Sequence, residues 1–269
     1  MTRFLAVILA ALLSHAARAQ EQARFFTLSS TTSTEDSGLF SHILPRFRAA
    51  SGIDVHVVAV GTGQALAIGA RGDADALLVH DRPGEDKFVA DGYGIDRRDV
   101  MYNDFVIVGP KSDPAGIRGL GDARDALRRI AAKAALFASR GDDSGTNRME
   151  LRFWKELDVA PGGAWYRELG QGMGPTLNIA AALGAYTLTD RATWANFKNR
   201  QDLRILTEGD PALFNPYGSI LVNPAKWPHV KAAEARIWHE WLTSPSGLEA
   251  ITSYRIAGEQ LFFPPRSER

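Results

Sequence analysis

Three stretches of this chain share one design: a short apolar run, a small loop of Thr, Ser and Gly, then residues in helical spacing. The loops are Ser29–Gly38 (SSTTSTEDSG), Gly61–Gln64 (GTGQ) and Ser139–Asn147 (SRGDDSGTN). A loop of this kind aims backbone N–H groups and hydroxyls past the end of a strand, and the positive end of the following helix favours negative charge there. Repeated strand–loop–helix units also restrict the fold, because parallel strands joined by helical crossovers form an α/β sheet with helices on its faces.

The rest of the chain continues the alternation. Arg24–Leu28 reads as a strand; Leu39, Phe40, Ile43, Leu44 and Phe47 share one helical face, Ser51-Gly52 stops that helix, and Val55–Val60 is the next strand. Helices are predicted at Gln64–Ala70 and Glu85–Asp91, and strands at Ala76–Val79 and Asp104–Val108. The pattern restarts after a Pro/Gly/Asp-rich connection, Lys111–Gly121, with helices at Asp122–Lys133, Asn147–Leu157 and Gly174–Leu183. Strands are expected at Ala135–Ala138, Ala185–Leu188, Leu203–Thr207 and Gly218–Val222, then helices from about His229 to Leu242 and from Pro245 to Tyr254. The order fits parallel sheets with helices on both faces, and two sheets are more economical than one of this size. We therefore expect two doubly wound lobes: lobe I from residues 20–108 and 218–269, lobe II from residues 109–217. Two connecting strands form the hinge, and a cleft lies between the lobes. Ligands bind beyond the carboxyl ends of strands in such sheets, so the three loops and a fourth at 172–176 would surround one cleft that closes on its ligand.

Composition narrows the class. Met1–Arg3 is basic, Phe4–Leu13 is apolar and Ala17-Arg18-Ala19 has a small-x-small form, so residues 1–19 are expected to be a secretory signal peptide and the mature chain periplasmic. That apolar run is too short to span a bilayer. Basic and acidic residues number 31 each, which leaves no basic field for nucleic acid. The chain has no cysteine, so disulfides and Cys-ligated metals are excluded and the core holds itself together. Trp154, Trp165, Tyr166, Trp194, Phe197, Trp227, Trp238 and Trp241 are assigned mostly to apolar helix faces.

The runs TTSTEDSGLF (31–40), GTGQAL (61–66), GDADALLVH (72–80), NDFVIVGP (103–110), SRGDDSGT (139–146) and MGPTLNIA (173–180) resemble the periplasmic tungstate-binding proteins of ABC transporters. These sit among the bilobal type II solute-binding proteins, with receptors for molybdate, sulfate and phosphate. Ser30 stands where a third Thr is expected, a change that keeps the hydroxyl. The resemblance implies a receptor that takes tungstate or molybdate as ligand, uses no cofactor, performs no covalent chemistry, delivers to an inner-membrane permease and acts as a monomer.

The chemistry of the residues agrees. A tetrahedral dianion has no proton to offer, so its pocket should present N–H and O–H groups with no inward carboxylate. Thr31, Thr32, Ser33, Thr62, Gly63, Ser144, Gly145, Thr146 and Thr176 meet that need, as does Ser30, and Arg140 adds a fork for two oxygens. Arg140 is the expected coupling between capture and closure, with Asp142 or Asp143 orienting it. Each Ser or Thr also has a plainer role as a helix cap. Glu35, Asp36, Asp142 and Asp143 read better as acidic residues at helix starts than as a metal site. Phosphate and sulfate remain competing ligands. The enzyme reading is a secreted serine hydrolase using Ser144 and His80, but GDDSG at 141–145 puts Ser144 one place late for a nucleophile elbow. His42, His56, His229 and His239 lack zinc spacing, and no phosphate loop for nucleotides is present.

Overall fold

A computed structural model describes residues 24–266; the expected signal peptide lies outside the described residues. Strand β1 (Phe25–Thr31) is flanked by β2 (Asp54–Val60) and β3 (Ala76–Val79), both parallel to it. Helices α1 (Thr32–Asp36), α2 (Leu39–Ser51), α3 (Thr62–Ala70) and α4 (Arg82–Ala90) follow the strands of this first unit. Beyond it runs β4 (Gly94–Pro110), far longer than the predicted Asp104–Val108.

The second unit contains α5 (Ala123–Ala132), β5 (Phe137–Ser139), α6 (Gly145–Glu156), β6 (Tyr166–Glu168), α7 (Met173–Leu183), β7 (Thr187–Asp190), α8 (Arg191–Asn196) and β8 (Leu203–Thr207). The chain then returns through β9 (Phe214–Val222) to α9 (Ala232–Thr243), α10 (Pro245–Thr252) and the hairpin of β10 (Arg255–Ile256) and β11 (Glu259–Gln260).

The sheet is mixed rather than wholly parallel. Its order is β2-β1-β3-β9-β4-β7, with β8 also on β4, and β9 lies antiparallel to both β3 and β4. The antiparallel joins follow from the route: β4 leaves the first unit and β9 re-enters it, so the two run side by side in opposite directions. Strand β4 changes partner along its length, pairing with β9 as far as Asp104↔Phe214 and with β7 from Phe105↔Asp190.

Alternation along the strands supplies two buried faces to each unit. Ala76 and Leu78 of β3 join a core with Phe26, Phe47, Tyr217, Trp238 and Phe262, while Leu77 packs on the other face with Phe88 and Ile220. In the second unit Phe105 and Ile107 meet Phe137, Trp154 and Tyr186, and Val106 and Val108 meet Met173 and Leu177. Of the aromatic residues assigned to helix faces, Trp154, Trp194, Trp238 and Trp241 do lie on helices and the first three are buried, whereas Trp165 sits in a single 3-10 turn, Tyr166 is on β6, and Phe197 and Trp227 lie in connecting segments. Among the described residues no helix is long and apolar enough to cross a membrane.

Candidate functional site

The four polar loops meet where the two units face each other. Arg140, immediately after β5, is 1% exposed although it carries a full charge. Its Nη1 donates to Ser33 Oγ at 2.6 Å, and its Nη2 donates to Thr32 Oγ1 at 2.8 Å. Asp142 Oδ2 accepts from the same guanidinium, 2.6 Å from Nη2 and 3.2 Å from Nε. Asp142 is therefore the residue that orients Arg140, while Asp143 holds Arg148.

The second loop docks onto the third in the same way. Gly145 N donates to Thr62 Oγ1 at 2.8 Å, and Gly63 N donates to the Asp143 carbonyl at 3.0 Å. Glycine is required here by close approach: a Cβ on Gly63 would overlap the Asp143 carboxylate, and one on Gly145 would lie 2.7 Å from the His80 carbonyl. The fourth loop reaches α1, where Gly174 N donates to Asp36 Oδ2 at 3.0 Å.

These contacts polarise the hydroxyls. Thr32, Ser33 and Thr62 each accept a hydrogen bond from a protein N–H, which leaves their own O–H protons to donate elsewhere. Thr146 Oγ1 is buried without a partner among the described residues. Thr176 is buried, with a long 3.4 Å contact from its hydroxyl to the Gln171 carbonyl.

Other predicted groups lie in the same loops but serve local structure. Thr31 caps α1 by accepting from Thr34 N at 3.2 Å, and Ser144 caps α6 by accepting from Asn147 N at 3.1 Å. Capping uses a lone pair of each hydroxyl; Thr31 Oγ1 additionally shares a 2.8 Å hydrogen bond with Thr34 Oγ1, while the Ser144 proton is left available by its cap. The Ser30 hydroxyl donates to the Leu78 carbonyl at 2.6 Å, which ties β1 to β3 and removes that proton from the site.

The four acidic residues of the loops are dispersed, and among the described residues no group of three His, Asp or Glu could hold a metal ion. The hydrolase pairing is not formed either. Ser144 Oγ serves the helix cap, and His80 Nδ1 faces Asn215 Oδ1 at 3.0 Å. Burial first, then the nearby charge of Arg140, push the His80 imidazole down to about 4, so it is neutral at neutral pH.

Sequence reasoning missed a buried polar chain beneath the loops. From His80 it passes through Asn215 and Asn103, whose side chains are 2.6 Å apart, toward Asp190. Burial raises the Asp190 carboxyl to about 6. Asp190 also caps α8 by accepting from Thr193 N, and Thr193 in turn donates to the Ser33 carbonyl. The available signal was an asparagine at each of two strand positions where an apolar residue would ordinarily pack.

Two units joined by a strand pair, with donor-rich loops facing across the junction, define a solute receptor. Residues 15–246 match the PBP superfamily domain. The tungstate-binding protein TupA of Peptoclostridium acidaminophilum is 45% identical over 241 residues, 88% of this chain and 84% of that relative. A solved structure of the tungstate ABC transporter from Geobacter sulfurreducens is 54% identical with a TM-score of 0.79, covering 86% of this chain and 98% of that one. The tungstate-binding protein TupA from Desulfovibrio alaskensis G20 is 44% identical with a TM-score of 0.76, covering 91% and 100% respectively. The chain belongs to the PBP superfamily and, within it, to the family of tungstate-binding proteins. This is a family of solute-binding receptors and not of enzymes.

Proposed function

We propose that this protein captures tungstate in the periplasm, closes on it and presents it to the inner-membrane permease of an ABC transporter, acting as a monomer after removal of residues 1–19. The ligand set is Thr31, Thr32, Ser33, Thr62, Arg140, Ser144, Thr146 and Thr176; Gly63 and Gly145, expected in the same set, spend their N–H groups on the Asp143 carbonyl and Thr62 Oγ1 and bring the loops together instead. Residues 20–108 with 218–269 form one lobe around it, and residues 109–217 form the other.

One observation carries this reading: a buried guanidinium sits at the junction and accounts for four hydrogen bonds, all to side-chain oxygens. A guanidinium has about five N–H groups, so one remains for an incoming oxygen, beside hydroxyls that Arg140 itself has turned into donors. A fully deprotonated tetrahedral dianion matches this set because it only accepts. Asp142 already neutralises part of the Arg140 charge and faces the guanidinium rather than a ligand.

Competitive calorimetry with tungstate, molybdate, sulfate and phosphate tests the assignment. Tungstate is expected to displace sulfate and phosphate at equal concentration. Tighter binding of phosphate than of tungstate would replace the ligand, and absence of binding by all four would end the proposal.

A further inference from the structure

A second set of charges crosses between the units beside the oxyanion loops. Asp81 follows β3 at the start of α4 and is 3% exposed. Its Oδ2 accepts from Arg148 Nη1 at 2.8 Å and its Oδ1 accepts from Arg152 Nη1 at 2.8 Å, so each carboxylate oxygen holds its own guanidinium. Arg148 and Arg152 are one helical step apart on α6, on the opposite unit, and therefore share a face. We infer that Asp81, Arg148 and Arg152 form a latch that sets how long the receptor stays closed without touching the ligand.

The fold ties this latch to the binding loops through α6. The N-terminus of α6 supplies Gly145 and Thr146 to the candidate site, and Arg148 lies on its first turn. Because a helix moves as a rod, the motion that brings the α6 N-terminus to Thr62 also brings its arginines to Asp81. Arg148 additionally holds Asp143 through Nε at 2.7 Å and Nη2 at 2.9 Å, and the Asp143 carbonyl accepts from Gly63 N. One connected set of bonds thus runs from Asp81 to the second oxyanion loop.

The surroundings are shaped for the pair. A Cβ on Gly84 would come within 2.6 Å of Asp81 Oδ2 and 2.8 Å of Arg148 Nη1, so the absence of a side chain there makes room for the ion pair. The other charges around it have their own partners: Glu85 accepts from Asp81 N and pairs with Arg97, and Arg82 pairs with Asp86. Burial alone would raise the Asp81 carboxyl, but the bonds from Arg148 and Arg152 hold it below the usual value. Closing without those arginines would bury an uncompensated carboxylate, so closure itself becomes less favourable.

The test rests on tungstate as probe and therefore on the proposed function, but it has a ligand-free arm. In Arg148→Gln/Arg152→Gln, the tungstate dissociation rate measured by stopped flow is expected to rise about tenfold with little change in association, since loss of a buried charge partner acts on dissociation. Asp81→Asn should have the same effect, and the triple variant should be no worse than either. Gly84→Ala, which improves helix propensity in α4 while crowding the pair, should also speed dissociation. The chain has no native cysteine, so spin labels on Ala50→Cys and Lys133→Cys report the distance between units directly. Without ligand, the latch variants are expected to lose the shorter distances seen in the parent. Unchanged dissociation and distances, or independent multiplication of the Asp81 and arginine effects, would overturn the latch. Failure of the parent to bind tungstate would instead remove the proposed function, and the ligand-free distances would still decide the latch.

Discussion

At the scale of single residues, Arg140 does two jobs that one substitution can separate. In the proposed function it offers charge to the ligand, and it fixes the direction in which Thr32 and Ser33 donate. In Arg140→Ala both are lost, and Asp142 is left beside the site without its cation. A hydrogen bond to a charged group contributes about 1.5–3 kcal/mol. With one such bond to the ligand and the orientation of two hydroxyls lost together, calorimetry should show oxyanion affinity falling by about a hundredfold, with the apo protein still folded. Arg140→Lys keeps the charge but replaces the planar fork with a point, so it should recover only part of the loss. Wild-type affinity in Arg140→Ala would remove this residue from the site. The loop composition made Arg140 and its hydroxyl neighbours legible as candidates. The division of labour among them was not, because Ser30, Thr31 and Ser144 carry the same chemistry as Thr32 and are distinguished only by which backbone group lies nearest.

At the scale of elements, legibility followed local apolar content. Strands β3 and β8 coincide with the predicted segments, since each is a short run bounded by turn residues. The first half of β4 was missed because Asp96, Arg97, Arg98 and Asp99 look like loop, yet Arg97 is buried against Glu85 and Asp99. The start of β9 was hidden by Pro216. That proline is tolerated because its partner Tyr102 directs both its N–H and its carbonyl to Phe263 on the other side. Helix α6 carries a further consequence. Its Glu150 is buried and accepts from Ser139 Oγ, Trp154 Nε1 and Tyr166 OH, yet burial still pushes the carboxyl up to about 7. A carboxyl raised above its unfolded value favours the folded state when protonated, so its contribution is complete below about pH 4.5 and is lost as pH rises through about 7. The difference in urea stability between the parent and Glu150→Gln should therefore shift against the parent between pH 5 and pH 8, by on the order of a few kcal/mol. Glu85 and Asp190 shift in the same direction but are common to both proteins. Parallel stability curves over that range would show that Glu150 ionises freely in the fold.

At the scale of the whole molecule, each unit has its own apolar cores, and the chain crosses between the units on β4 and β9. Across the junction Ala192 and Ala195 of α8 pack on the apolar core of the first unit, and around the loops the contacts are polar: Arg140 with Thr32 and Ser33, Gly145 with Thr62, Gly174 with Asp36, and Asp81 with two arginines. Net gains from such contacts are modest because water competes for every donor and acceptor when the units separate. A dianion held by donors from both units changes that balance, since it binds the closed, folded form and has no comparable site on the unfolded chain. Linkage then sets the size of the effect: at about a thousandfold excess over Kd the ligand adds roughly 4 kcal/mol, which for a chain of this length raises Tm by about 10 °C. Differential scanning calorimetry should show that rise with tungstate and a continuing logarithmic increase with its concentration. In Arg140→Ala at the same concentration a hundredfold loss of affinity leaves about a tenfold excess over Kd, so the rise should shrink to about a third of the parent's. A large rise that survives in Arg140→Ala would place the bound anion somewhere other than the junction, and the absence of any rise in the parent would mean that tungstate does not bind the folded form.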